Sequence, residues 1–158
     1  MAVAFSPEFV KSFNDPAATK VLATVDGEGI PHVVFKGSLH IDDSGHIVLL
    51  ELSEYSETNR NLVRSIWFDH KVALNLRTSD NRSFHIVGKP ERAIIAGPVF
   101  ERYYQDIRAR LGDVDLSTVW IIEPQSLVEK GKTAAAKANE GRLPLIHLDR
   151  IAAVSTAH

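Results

Sequence analysis

The chain has 158 residues, 44% of them hydrophobic, with 18 Lys and Arg against 20 Asp and Glu and no cysteine. Its net charge of −2, with both signs interspersed, argues against a nucleic-acid or acidic-membrane surface. The missing cysteine excludes disulfides, thiolate catalysis and cysteine-based metal sites.

The longest apolar runs, such as Ile47 to Leu50, fall far short of the ~18 residues that a membrane helix needs. MAVAFSPEF has no basic region followed by an apolar core, so no signal peptide is expected and the cytoplasm is the expected compartment. The length suits one domain, 1–158, with 131–158 as a C-terminal arm.

The first element is a short helix, Ser6 to Phe13, capped by Ser6, with Pro7 at its first position and Asn14-Asp15-Pro16 ending it. A strand, Lys20 to Val25, enters the hairpin signal Asp26-Gly27-Glu28-Gly29. Pro31 to Ile41 then alternates with period two. Val33, Phe35, Leu39 and Ile41 share one face, and His32, Lys36, Ser38 and His40 the other. Asp42-Asp43-Ser44-Gly45 turns the chain into the apolar strand His46 to Leu52.

A helix capped by Ser56 follows, preceded by a polar junction containing Ser53 and continuing through Thr58, Asn59, Arg60 and Asn61. Its N-terminus has unpaired N–H groups and a partial positive charge, which favours an anion; phosphate fits, with Arg60 or Arg64 as the nearby cation. An ordinary capped helix with a solvated turn reads the same residues more simply.

Two strands, Lys71 to Arg77 and Arg82 to Gly88, join through Ser79-Asp80-Asn81, and another is expected over Glu91 to Ala96. Gly97-Pro98 opens a helix whose Phe100, Tyr103, Tyr104, Ile107 and Leu111 make one apolar face, and Gly112 closes it. TVWIIE, Thr118 to Glu123, is a strand stopped by Pro124. LPLIHLDRI forms a small apolar anchor near the end. Six or seven strands linked mostly by tight turns predict a mainly β fold, an antiparallel barrel with peripheral helices.

No dinucleotide loop, P-loop, nucleophile elbow or metal-binding histidine spacing is present, so no side chain is nominated as catalytic or as a metal ligand. His32 and His40 share a strand face but lie too far apart to hold one metal. Asp42-Asp43 and the Asp113/Asp115 pair sit in turns, where Asp bonds its own backbone. Lys36 and Ser38 point the same way, and pairing of their strand with Ile47 to Leu52 would bring both toward the capped turn.

The order of these pieces resembles the pyridoxamine 5'-phosphate oxidase-like family of FMN-binding split β-barrels. The matching stretches are KVLATVDGEGIPHVVFKGSL, IVLLELSEYSETNRNLVRSIWFDHKVALNL, RSFHIVGKPERAII and TVWIIEP, from about Val21 to Pro124. The resemblance implies an antiparallel split barrel that forms a homodimer and holds FMN at the subunit interface. By matching position it nominates Lys36 and Ser38, then Leu52 and Ser53, then Ser56, Thr58 and Asn59 as FMN-binding residues. Arg82 and Ser83 match a region that often contacts the flavin, and Trp120 is nominated as a ring or interface contact from the other subunit, with a barrel-core Trp as the equal alternative.

The chain departs from the family pattern at Glu57-Thr58, where a basic pair often stands, so Lys36, Arg60 or Arg64 would have to supply the charge. It also lacks the C-terminal Arg-His-rich substrate segment of true pyridoxamine phosphate oxidases, and that activity is not expected. The implied function is an FMN-dependent oxidoreductase transferring hydride or electrons through the flavin. The rival is a non-catalytic module that stores, senses or sequesters a flavin or other cofactor on the same barrel. Substrate and electron donor are not legible.

Overall fold

The computed structural model describes residues 2–131. The arm and its LPLIHL anchor lie, from residue 132 onward, outside the described residues. The elements are α1 (Pro7–Asn14), β1 (Thr19–Val25), β2 (Pro31–Phe35), β3 (His40–Ile41), β4 (Ile47–Glu51), α2 (Glu57–Trp67), β5 (Val72–Arg77), β6 (Ser83–Ile94), α3 (Pro98–Leu111) and β7 (Thr118–Lys130). All strand pairs are antiparallel, in the order β2-β1-β5-β6-β7-β4-β3.

The two edge strands of this sheet are successive in the chain. Only Lys36 to Leu39 separate β2 from β3, a span too short to reach between the ends of a flat seven-stranded sheet, whose neighbouring strands lie ~4.8 Å apart. The sheet therefore curls until its edges meet at that corner. Here the structure differs from the continuous strand expected over Pro31 to Ile41. The tight turn at Gly37 and Ser38 reverses the faces: Leu39 and Ile41 are buried, while Val33 and Phe35 are 63% and 73% exposed.

The curled sheet encloses the main core. Leu22, Leu49, Leu74, Ile86 and Trp120 meet Phe9 and Phe13 of α1 and Leu62 of α2 there. A second cluster forms on the other side of β4 and β7, where Val48, Leu50, Val119 and Ile121 receive Ile107 of α3. With both faces covered, β4 and β7 need no alternation, hence the unbroken apolar runs IVLL and VWII.

Lys20 ties α1 to the corner: its ammonium donates to Phe13 O at 3.1 Å and Leu39 O at 2.7 Å. Burial pushes its pKa down, against a smaller upward pull from Asp15.

Two strand ends also run past expectation. β6 is continuous through Pro90, and β7 continues past Pro124 to Lys130. Register shifts after Val87 and after Pro90 absorb the prolines, whose missing N–H cannot join a regular ladder. The residue opposite Pro124 is Gly88, where a Cβ would come within 2.6 Å of Ile122 Cγ2.

Candidate functional site

The register of β3 on β4 pairs His40 with Val48 and Ile41 with Ile47. Extended through the corner, it sets Ser38 opposite Leu50. The Ser38 hydroxyl replaces the missing backbone ladder there, donating to Leu50 O at 2.9 Å and accepting from Leu50 N at 3.2 Å. Two residues further back, Lys36 arrives beside Glu51, the last residue of β4, and its ammonium lies 2.9 Å from Glu51 Oε2. Both side chains are largely withdrawn from solvent, at 17% and 5% exposed. Glu51 Oε1 also accepts from Ser53 N at 3.4 Å. A carboxylate this buried requires such partners, since an unpaired charge there would be strongly disfavoured.

This corner floors a cleft of about 460 Å³. One wall is Phe35, Lys36, Ser38, Glu51 and Leu52; the other is the C-terminal end of α3, with Ile107, Arg110 and Leu111. The α3 helix is held near the corner by His40, whose Nδ1 lies 3.0 Å from Ser38 O and whose Nε2 lies 3.2 Å from the Tyr103 hydroxyl. Those partners fit a neutral ring with its proton on Nδ1. Burial pushes the His40 pKa down and that of Tyr103 up. Of the two arginines ending α3, Arg108 bonds Tyr104 and Asp113, whereas Arg110 borders the cleft with no hydrogen-bond or ion-pair partner among the described residues.

Lys36, Ser38 and Leu52, nominated from separate stretches, thus meet in one cleft. Ser53 is exposed beside it and borders a second recess with Leu52, Tyr55, Phe100 and Leu116. The turn and helix start are engaged internally. Ser56 Oγ accepts from Asn59 N at 3.0 Å, as its capping role requires, and the Asn59 amide donates to Glu54 O at 3.1 Å. Thr58 is buried, and Arg60 and Glu57 are exposed. Arg64 stacks near Phe68 and against Gly27, away from the helix start.

The remaining nominees lie elsewhere in the chain. Trp120 is not an exposed surface group: it is 1% exposed, packed in the core, and its indole N–H donates to Asn59 Oδ1 at 2.9 Å. Arg82 is paired with Glu129 at 3.0 Å and, with Ser6, Phe9 and Phe84, borders a separate small recess; neighbouring Ser83 opens β6 opposite Lys130.

Sequence reasoning missed Glu51, Ile107, Arg110 and Leu111. Glu51 had a signal, a lone carboxylate ending an apolar run, because such a charge inside a doubly covered strand must have a partner. The α3 residues had none, since nothing local tells which surface a helix end faces.

No family model and no curated protein matches the chain. Solved structures do. HupZ from Group A Streptococcus superposes with a TM-score of 0.65 at 19% identity, over 79% of this chain and 93% of that one. An FMN-binding protein from Syntrophomonas wolfei subsp. wolfei gives 0.63 at 12% identity, over 79% and 88%. The fold is the pyridoxamine 5'-phosphate oxidase-like split barrel. HutZ, the heme storage protein from Vibrio cholerae, shares it, with a TM-score of 0.60 at 16% identity over 82% of this chain and 96% of that one. Split barrels named for different roles thus share this architecture, and the role of this one rests on its own cleft. Among the described residues, no helix is long and apolar enough to cross a membrane.

Proposed function

We propose that the cleft under α3 receives the ring of a flavin, FMN foremost, and that the protein is an FMN-dependent oxidoreductase of the cytoplasm working as a homodimer. The observation that carries this reading is the convergence of Lys36, Ser38 and Leu52 on one cleft of about 460 Å³, inside the roughly 300–1,000 Å³ range of small-molecule sites. The residues fit such a group. Phe35, Leu52, Ile107 and Leu111 offer apolar surface to a planar ring, and Lys36 and Glu51 offer a donor and an acceptor to its edge. The FMN-binding Syntrophomonas protein lends the same fold.

When bound, a flavin supplies hydride or electron transfer, and the protein's part is binding, orientation and electrostatics. Lys36 and Glu51 orient the edge, the α3 residues cover a face and exclude water, and no side chain has to act as a general base.

The homodimer is supported by an apolar face that is uncovered among the described residues. Val33 and Phe35 of β2 lie beside Ala23 and Val21 of β1 in the sheet register, and an exposed surface of this kind favours a partner. Arg82 and Ser83, remote from the cleft within one chain, would join a flavin site only from the second copy.

The second reading, a non-catalytic binding module, is favoured by two observations. Lys36 is already neutralised by Glu51, and Glu57 sets a negative charge at the start of α2. The purified protein separates the cases. Flavin absorbance, with FMN bound more tightly than riboflavin, supports a flavin site; turnover with a reductant and an acceptor supports the enzyme, and bound flavin without turnover supports the module. A colourless protein that binds no added flavin refutes both flavin readings.

A further inference from the structure

We propose that Lys36 and Glu51 act as one recognition pair for a lactam edge, a ring N–H beside a ring carbonyl, and that the cleft thereby selects neutral heterocycles carrying that edge. The inference rests on the flavin reading of the same cleft and names what would select the ring.

The pair is neutral as a whole, with the ammonium 2.9 Å from the carboxylate and Glu51 almost fully withdrawn from solvent. An anion binding to Lys36 would have to draw it from Glu51 and leave a buried carboxylate without its counter-charge, so Lys36 is poorly placed as a simple anion receptor. What the pair offers instead is unspent hydrogen-bonding capacity. Lys36 has three N–H donors, and among the described residues its one hydrogen bond is to Glu51. The Glu51 carboxylate has about four lone-pair sites and accepts from Lys36 and Ser53 N. Both groups border the cleft, so a donor and an acceptor stand side by side at its floor. A ligand edge with the inverse order, carbonyl toward Lys36 and N–H toward Glu51, satisfies both at once, as Asn and Gln side chains do on an adenine edge.

The site also rejects what fails this test. A ring without the N–H leaves the Glu51 acceptor desolvated and unmet, and a ring ionised at that nitrogen brings like charge against the carboxylate. The isoalloxazine ring carries such an edge at N3–H, between two carbonyls. Glu51 is therefore the specificity-determining residue, and Lys36 is the counter-charge beside it.

The experiment titrates riboflavin and 3-methylriboflavin into the full-length protein and into Glu51→Gln, following flavin fluorescence. The wild type is expected to bind riboflavin at least tenfold more tightly than its N3-methyl derivative. Glu51→Gln retains a neutral acceptor and a partner for Lys36, so it keeps the fold and lowers that ratio, because hydrogen bonds to charged acceptors are about twice as strong as neutral ones. Equal binding of the two flavins by the wild type overturns the inference while leaving the flavin reading intact, and so does a ratio unchanged in Glu51→Gln. Failure of riboflavin, 3-methylriboflavin and FMN alike to bind the wild type overturns the flavin reading itself, and this inference with it.

Discussion

Glu51 concentrates the physics of the cleft in one side chain. Lys36→Met leaves its carboxylate buried with, among the described residues, only Ser53 N as a partner and is expected to cost about 3 kcal/mol, the low end for a broken buried pair because this one borders an open cleft. The double variant Lys36→Met/Glu51→Leu removes both charges and should recover most of that loss; urea unfolding of both proteins measures it. Ser38→Ala is a second test, since it leaves Leu50 N–H and C=O without the hydroxyl that serves both. A loss of about 1–3 kcal/mol in the same assay is expected for unsatisfied buried groups.

At this scale the sequence was informative where a residue's role is local. Ser56 caps its helix, Asp26 and Asp42 close their turns through their own carboxylates, and Lys36 and Ser38 both line one cleft, which Ser56 does not. It was silent on Lys36 meeting Glu51, because that contact depends on how the corner at Gly37 reorients the chain.

Among the elements, α3 and β3 are coupled through one titratable contact. His40 joins Ser38 O to the Tyr103 hydroxyl, and the charged groups acting on it are Asp42, Lys20 and Arg110. Its folded pKa lies below the ordinary 6.5, so near that pH the unfolded chain binds more protons than the folded one. The contact's stability is therefore complete above pH 6.5 and is lost as pH falls toward the depressed folded value. Melting temperatures from pH 7.5 to 5.5 should fall more steeply for the wild type than for His40→Gln, which does not titrate.

Helix ends and hairpins could be read because caps, prolines and glycines act over a few residues. Strand lengths could not. Pro90 and Pro124 look like terminators in isolation, yet a register shift beside each carries β6 and β7 past them. Gly88→Ala, whose Cβ would press on Ile122, should destabilise this region by about 1–3 kcal/mol, the usual range for overpacking, again by urea unfolding.

Among the described residues, the β2 side of the sheet is apolar and uncovered, and the proposed homodimer makes a direct demand of it. Phe35→Glu places a charge on an exposed position, so the folded monomer should change by no more than about 0.5 kcal/mol while the dimer dissociates. Light scattering at micromolar concentration reads this, and a wild type that is monomeric there removes the shared site. The four residues from Lys36 to Leu39 have a further consequence for how such a sheet can assemble. Bringing the two edges of a curled sheet together usually means joining distant parts of the chain, an entropy cost that grows with the logarithm of the separation. Here the edges are neighbours along the backbone, and β3 meets β4 through the turn at Asp42 to Gly45, so neither contact carries much of that cost. It falls instead on the ladder of β4 with β7, which brings Leu49 to Trp120.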